Sequence, residues 1–251
     1  AQFMGLSADG MAGLSATQVS NLGTTEITLL TQVEMSGLTS AQVSALTPAQ
    51  FGLLTTAQLS ALSPDGITGL STDRVAALPL TQLGALTAWQ LSALTTSQVA
   101  ALTTTSIAAL TTDQLEGFAR MQIRALSNDQ LNAMSTDQIA SLSPTQIGAL
   151  TATEWTGLTP TLLGALTPDQ IAGLTAAQLD ALAPTQLAEF APTQWSQITT
   201  TTISELSTTT IGLLSTTELS ALNATQIGGF TNDQLTAMTS DQIQALYDAL
   251  V

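Results

Sequence analysis

A large apolar residue returns at every eighth position of this chain. Stepping by eight from Leu6 to Leu246 visits 31 positions with no insertion or deletion; 25 hold Leu, and the others hold Phe118, Met134, Phe190, Ile198, Phe230 and Met238. Three residues before each of these stands a second apolar column, which runs from Phe3, Met11 and Val19 to Leu235 and Ile243. A small residue such as Ala61, Gly69, Ala77 or Ala85 precedes most of the leucines. Ser or Thr usually follows, with Gln or Glu three residues further on. The unit therefore reads Ser/Thr, two variable residues, Gln/Glu, apolar, variable, small, Leu.

Ser or Thr followed three residues later by Gln or Glu is a capping box. The hydroxyl accepts an orphan N–H of the first turn, and the Gln or Glu side chain reaches back to the N–H of the cap residue. Each octad thus announces a helix start. Proline agrees, since it is favoured at the first helical position and disrupts a helix interior. Pro48, Pro64, Pro144, Pro160, Pro168, Pro184 and Pro192 all fall directly after the cap, and only Pro79 occupies the cap itself. Asp65, Asp73, Asp113, Asp129, Asp137, Asp169, Asp233 and Asp241 stand one place later, where the positive end of a helix dipole favours an anion.

A single long helix is excluded, because eight residues turn about 800° and would wind the leucines around the axis with no common face to bury. A β-solenoid is the competing reading, since short periods and Thr suit strands. The apolar pair, however, stands at i and i+3, as a helix requires. A helix of two turns is unstable alone, so each must be held by its neighbours. The expectation is an all-α, elongated solenoid with one very short capped helix per octad. It forms a single array over 1–251 of about 31 units, with Leu, Ile and Val inside and Thr, Ser, Asp and Gln outside. The number of helices per superhelical turn does not follow, because no longer period is visible.

Charge narrows the functions open to such an array. Eighteen acidic residues face three arginines and no lysine, for a net charge of -15. Nucleic acid and anionic lipid would be repelled, and no apolar run approaches a membrane span. The first residues lack the basic start and apolar stretch of a signal peptide, so the chain reads as mature or as a fragment. With no His, Cys or Lys, the usual general base, thiol nucleophile and Schiff-base amine are missing, so the chain reads as a non-enzyme with no cofactor. Carboxylate pairs of the glycosidase kind are set aside because the periodic Asp residues already have a capping role. No calcium-loop motif occurs either.

The phrases "TTAQLSALSPDG", "ALTTSQVAALTTTSIAALTTDQL" and "LTPDQIAGLTAAQLDAL" resemble the Thr/Gln/Leu/Ala octapeptide arrays of very large secreted or surface-associated bacterial proteins. That resemblance covers essentially the whole chain and implies an extracellular, structural setting. It transfers no functional residue.

Departures from the repeat mark the remaining candidates. At "DQLEGFARMQIRAL", residues 113–126, the cap is Ala119, and Glu116, Arg120 and Arg124 follow one another at i,i+4 spacing. This predicts a helix running through the junction and a joint in the array, with Arg120 and Arg124 as contacts for an acidic neighbour. A solvated local ion pair is the simpler reading. Trp155 and Trp195 fall in the aliphatic column and are expected in the core, whereas Trp89 follows the first helical position and is expected outside as a contact residue. Gly10 and Gly66 replace the box Gln and Gly23 replaces the cap, which predicts weakened units. The function expected is a filament subunit or rod segment that self-associates head-to-tail or laterally, at the cell surface or in a matrix. The alternative is an adhesin recognising glycan or protein; ice binding is disfavoured because the Thr hydroxyls are engaged as caps.

Overall fold

The computed structural model describes residues 5–250, and within them the chain is helical throughout, with thirty short α-helices and no strand. Each helix opens where the octad places its cap. Thr55 lies in the extended region and caps Thr56–Ser60, with its hydroxyl accepting from the Gln58 N–H and its own N–H donating to Gln58 Oε1. The seven prolines named above all occupy the first helical position, where the missing N–H is no loss. Where Gly10 and Gly66 replace the box Gln, helices still form, capped by Ser7 and Ser63 alone.

The chain divides into two compact units, Ala1–Leu126 and Ser127–Val251. Within each unit, helices stack on the helix three places earlier in sequence. In the first, Ala16–Ser20, Ser40–Ala45, Pro64–Thr68, Ala88–Ser92 and Thr112–Glu116 form one column. In the second, Pro144–Ile147, Pro168–Ala172, Pro192–Trp195, Thr216–Ser220 and Ser240–Asp248 form another. One coil of either unit is therefore three octads, a three-sided turn with a corner at each Leu–Thr junction. Both apolar columns point inward: Val43, Leu59, Ile67, Ile139, Leu163 and Leu219 are 0% exposed, and the corner leucines nearly so. Thr56, Thr96 and Asp113 face out. The small position lets coils approach; a Cβ on Gly69 would collide with the Ser40 carbonyl of the coil before.

Two expectations need correction. The Gln column is inside rather than outside: Gln42, Gln90, Gln122 and Gln170 are 1–3% exposed. The helix expected to run through 113–126 is broken, since Thr112–Glu116 and Arg120–Ile123 are separate helices with a corner at Phe118–Ala119. The reason is common to both. Ala119 has no hydroxyl, yet its N–H still donates to Gln122 Oε1 at 2.7 Å while Gln122 Nε2 donates to the coil before, so the corner forms from the glutamine alone.

Candidate functional site

A carboxamide carries one acceptor and a two-proton donor on one rigid plane, and most corners use both. Gln42 Oε1 accepts the Thr39 N–H at 2.8 Å, and its Nε2 donates to the Met11 and Leu14 carbonyls, both at 2.7 Å, in the coil before. Gln90 repeats this with the Leu59 and Leu62 carbonyls, and Gln122 with those of Leu91 and Leu94. In the second unit Gln170 holds Ile139 and Leu142, Gln226 holds Trp195 and Ile198, and Gln234 holds Ile203 and Leu206. Each glutamine thus closes the start of its own helix and the end of a helix one coil away, groups that a short helix otherwise leaves unpaired. Sequence reasoning found only the first arm.

Corners lacking Gln show what replaces it. At Leu162, Asn132 reaches up from the coil before: its Oδ1 accepts the Thr159 N–H at 2.9 Å and its Nδ2 donates to the Gly157 carbonyl at 2.7 Å. Where Thr210 stands, Asp180 accepts the Ser207 N–H at 3.1 Å. Thr202 Oγ1 donates to the Leu174 carbonyl at 3.0 Å. Glu34 cannot donate and meets donors instead: its Oε1 accepts Gly5 N–H and Leu6 N–H at 2.8 and 3.2 Å, its Oε2 the Thr31 N–H at 2.7 Å. Gly5, at φ +88, takes the left-handed conformation that presents this pair of N–H groups. Burial raises the Glu34 pKa, but the Thr31 N–H and hydroxyl and the Gly5 and Leu6 N–H groups together outweigh it and hold the carboxyl below its ordinary value.

Two corners open into hollows. Arg74 replaces Gln and donates Nη1 to the Val43 carbonyl at 2.8 Å and Nη2 to the Leu46 carbonyl, with its guanidinium 5.3 Å from the centre of the Phe51 ring. Burial lowers its pKa from the usual arginine value. A groove of about 520 Å³ runs beside it, walled by Pro48, Phe51, Asp73, Arg74, Pro79 and Gln82. Pro79 has no N–H, so Gln82 keeps only its donor arm, to the Leu54 carbonyl at 2.8 Å. At Glu218 the carboxylate accepts the Ser215 N–H at 2.6 Å, and a hollow of about 300 Å³ opens against Pro184, Phe190 and Pro192.

A third hollow, of about 330 Å³, is apolar and lies in the coil Ala224–Asp248, lined by Ile227, Leu235, Ile243, Leu246, Tyr247 and Leu250. Ile227, Leu235 and Ile243 belong to the column that is fully buried elsewhere, yet here they are only half-buried.

Trp89 is 69% exposed, on the outer side of Ala88–Ser92. Arg120 and Arg124 are also exposed and lie with Glu116 on the two sides of the Phe118–Ala119 corner. Trp155 and Trp195 are in the core, Trp195 edge-on to Phe190 with ring centres 6.0 Å apart. Among the described residues no group of three or more carboxylates could hold a metal ion, and no helix is long and apolar enough to cross a membrane.

Residues 121–152 match the ALTTAQ repeat family. A comparison with curated proteins finds no match. The match supports the repeat style read from the octads and carries no activity with it.

Proposed function

We propose that this chain is a structural protein of the cell exterior, a filament subunit or rod segment that extends by adding coil upon coil. The carrying observation is the glutamine bridge. Most octads join the coil before through the same carbonyls and the same apolar columns, so the rule for adding a coil does not depend on whether the coil comes from one chain or another. The half-buried Ile227, Leu235 and Ile243 offer the upper side of that rule. Gln18, exposed and with no carbonyl on its Nε2 among the described residues, offers the lower side. A further coil, of the same polypeptide or of another, stacks on either side by the same match.

Electron microscopy and concentration-dependent sedimentation test this reading. Filaments of one diameter are expected, with Leu235→Glu/Ile243→Glu preventing elongation while leaving the helical circular dichroism signal in place. Monodisperse short particles at all concentrations would overturn it. The adhesin reading draws on Trp89, whose exposed indole suits stacking on a sugar or on an apolar protein surface. Glycan-array binding that is lost in Trp89→Ala would favour it.

A further inference from the structure

The exposed large apolar residues of the first unit are not scattered. Gln58 Nε2 bonds the Leu30 carbonyl at 3.0 Å, and Gln82 Nε2 bonds the Leu54 carbonyl at 2.8 Å. These bonds set the corner at Leu78–Pro79 on that at Leu54–Thr55, and that corner on Leu30–Thr31. The three stacked corners carry Leu29 and Val33, then Leu53, then Leu80, each 41–58% exposed. Trp89 and Met121, also exposed, stand alone on the other two edges. One edge therefore presents a strip of apolar side chains through three successive coils, and the Arg74 groove opens beside its upper part with Asp73 on the wall. No cap, core or inter-coil bond needs Leu29, Leu53 or Leu80 to be large.

We propose that this edge is a docking surface for an amphipathic helix of a partner protein, apolar on one side and flanked by Lys and Arg. Stacked helices lie about 8–10 Å apart, so the strip repeats at nearly the roughly 10.5 Å that seven residues of an α-helix span. A helix laid along the edge brings one apolar residue per heptad onto each corner. Charge selects the flanks. The chain carries 18 acidic residues against three arginines, one of which, Arg74, is committed to backbone carbonyls. A basic partner is attracted, and a second copy of this chain is repelled. Four half-exposed side chains also fall well short of the roughly 800 Å² per partner buried in a stable symmetric pair.

The probe is a fluorescein-labelled helical peptide with Leu at the two apolar heptad positions and Lys at the others, titrated with the full chain. Binding is expected to weaken at least tenfold in Leu29→Ser/Leu53→Ser/Leu80→Ser, and at least threefold in Leu53→Ser alone, should the triple variant lose its helical signal. A peptide with Glu in place of Lys should bind at least tenfold more weakly than the Lys form. Equal binding to wild type and a folded triple variant, or no binding to either, overturns the proposal. So does a wild-type dimer in sedimentation that the leucine substitutions abolish, because the edge would then belong to a second copy.

Discussion

The two units follow one repeat but complete it differently. In the first, irregular corners are completed by ions: Glu34 gathers the N–H groups of Gly5, Leu6 and Thr31, and Arg74 spreads over carbonyls and Phe51. In the second, carboxylates serve only as acceptors, Asp180 for the Ser207 N–H and Glu218 for the Ser215 N–H. Neutral side chains supply the donors, with Asn132 reaching up for Leu162 and Thr202 bonding Leu174. Their cores differ too. The first keeps its only tryptophan outside, whereas the second buries Trp155 and Trp195. A corner thus takes whichever donor or acceptor reaches its fixed backbone atoms, rather than one residue type.

The comparison breaks most severely in the aromatic core. Trp155→Ala should cost about 3–5 kcal/mol, read as a lowered denaturation midpoint, with no counterpart for Trp89→Ala, whose ring is in solvent. The indole N–H groups of Trp155 and Trp195 are buried without a partner, so Trp155→Phe should cost far less than Trp155→Ala, since it removes a polar group that burial penalises.

The next effect concerns Asn132. Asn132→Ala removes the partner of the Thr159 N–H and of the Gly157 carbonyl at an exposed to half-buried corner, a loss of about 0.5–1.5 kcal/mol. If corners are defined by what they deliver, Leu162→Gln should restore part of that stability in the double variant while giving little in the wild-type background. A thermodynamic cycle measures the coupling.

The smallest effect is acid loosening of the first coil. The Glu34 pKa is held below the ordinary glutamate value, so its contribution is fully present above that ordinary value. It is lost as pH falls through the lowered folded pKa. Protection of the Gly5 and Leu6 amides, relative to their intrinsic exchange, should fall over that interval, and Glu34→Gln should remove that fall.

Much of the fold was legible from the octads because capping is local: Thr55 and Gln58 announce a helix start with no knowledge of what lies above or below. The three-helix coil was not legible. All three sides are built from the same octad, and the stacking distance is written in bonds such as Gln42 to Leu14 rather than in a longer repeat. Glutamine was placed outside for the same reason, since its capping arm explained the residue and left its donor unaccounted for. Trp89 was readable from its register, and its exposure follows. The leucine edge was not, because Leu29, Leu53 and Leu80 occupy different or undistinguished octad positions that meet only when coils stack.

The central claim is that glutamine joins coils as well as capping helices, and Gln98→Glu tests it most directly. Glutamate keeps the acceptor that receives the Thr95 N–H and adds a charge favoured at a helix start, so a purely local cap predicts equal or greater stability. The bridge to the Leu70 carbonyl at 2.5 Å requires a donor, which ionised glutamate lacks. At neutral pH the account predicts a loss of about 1–3 kcal/mol in chemical denaturation, and a variant as stable as the wild type would contradict it.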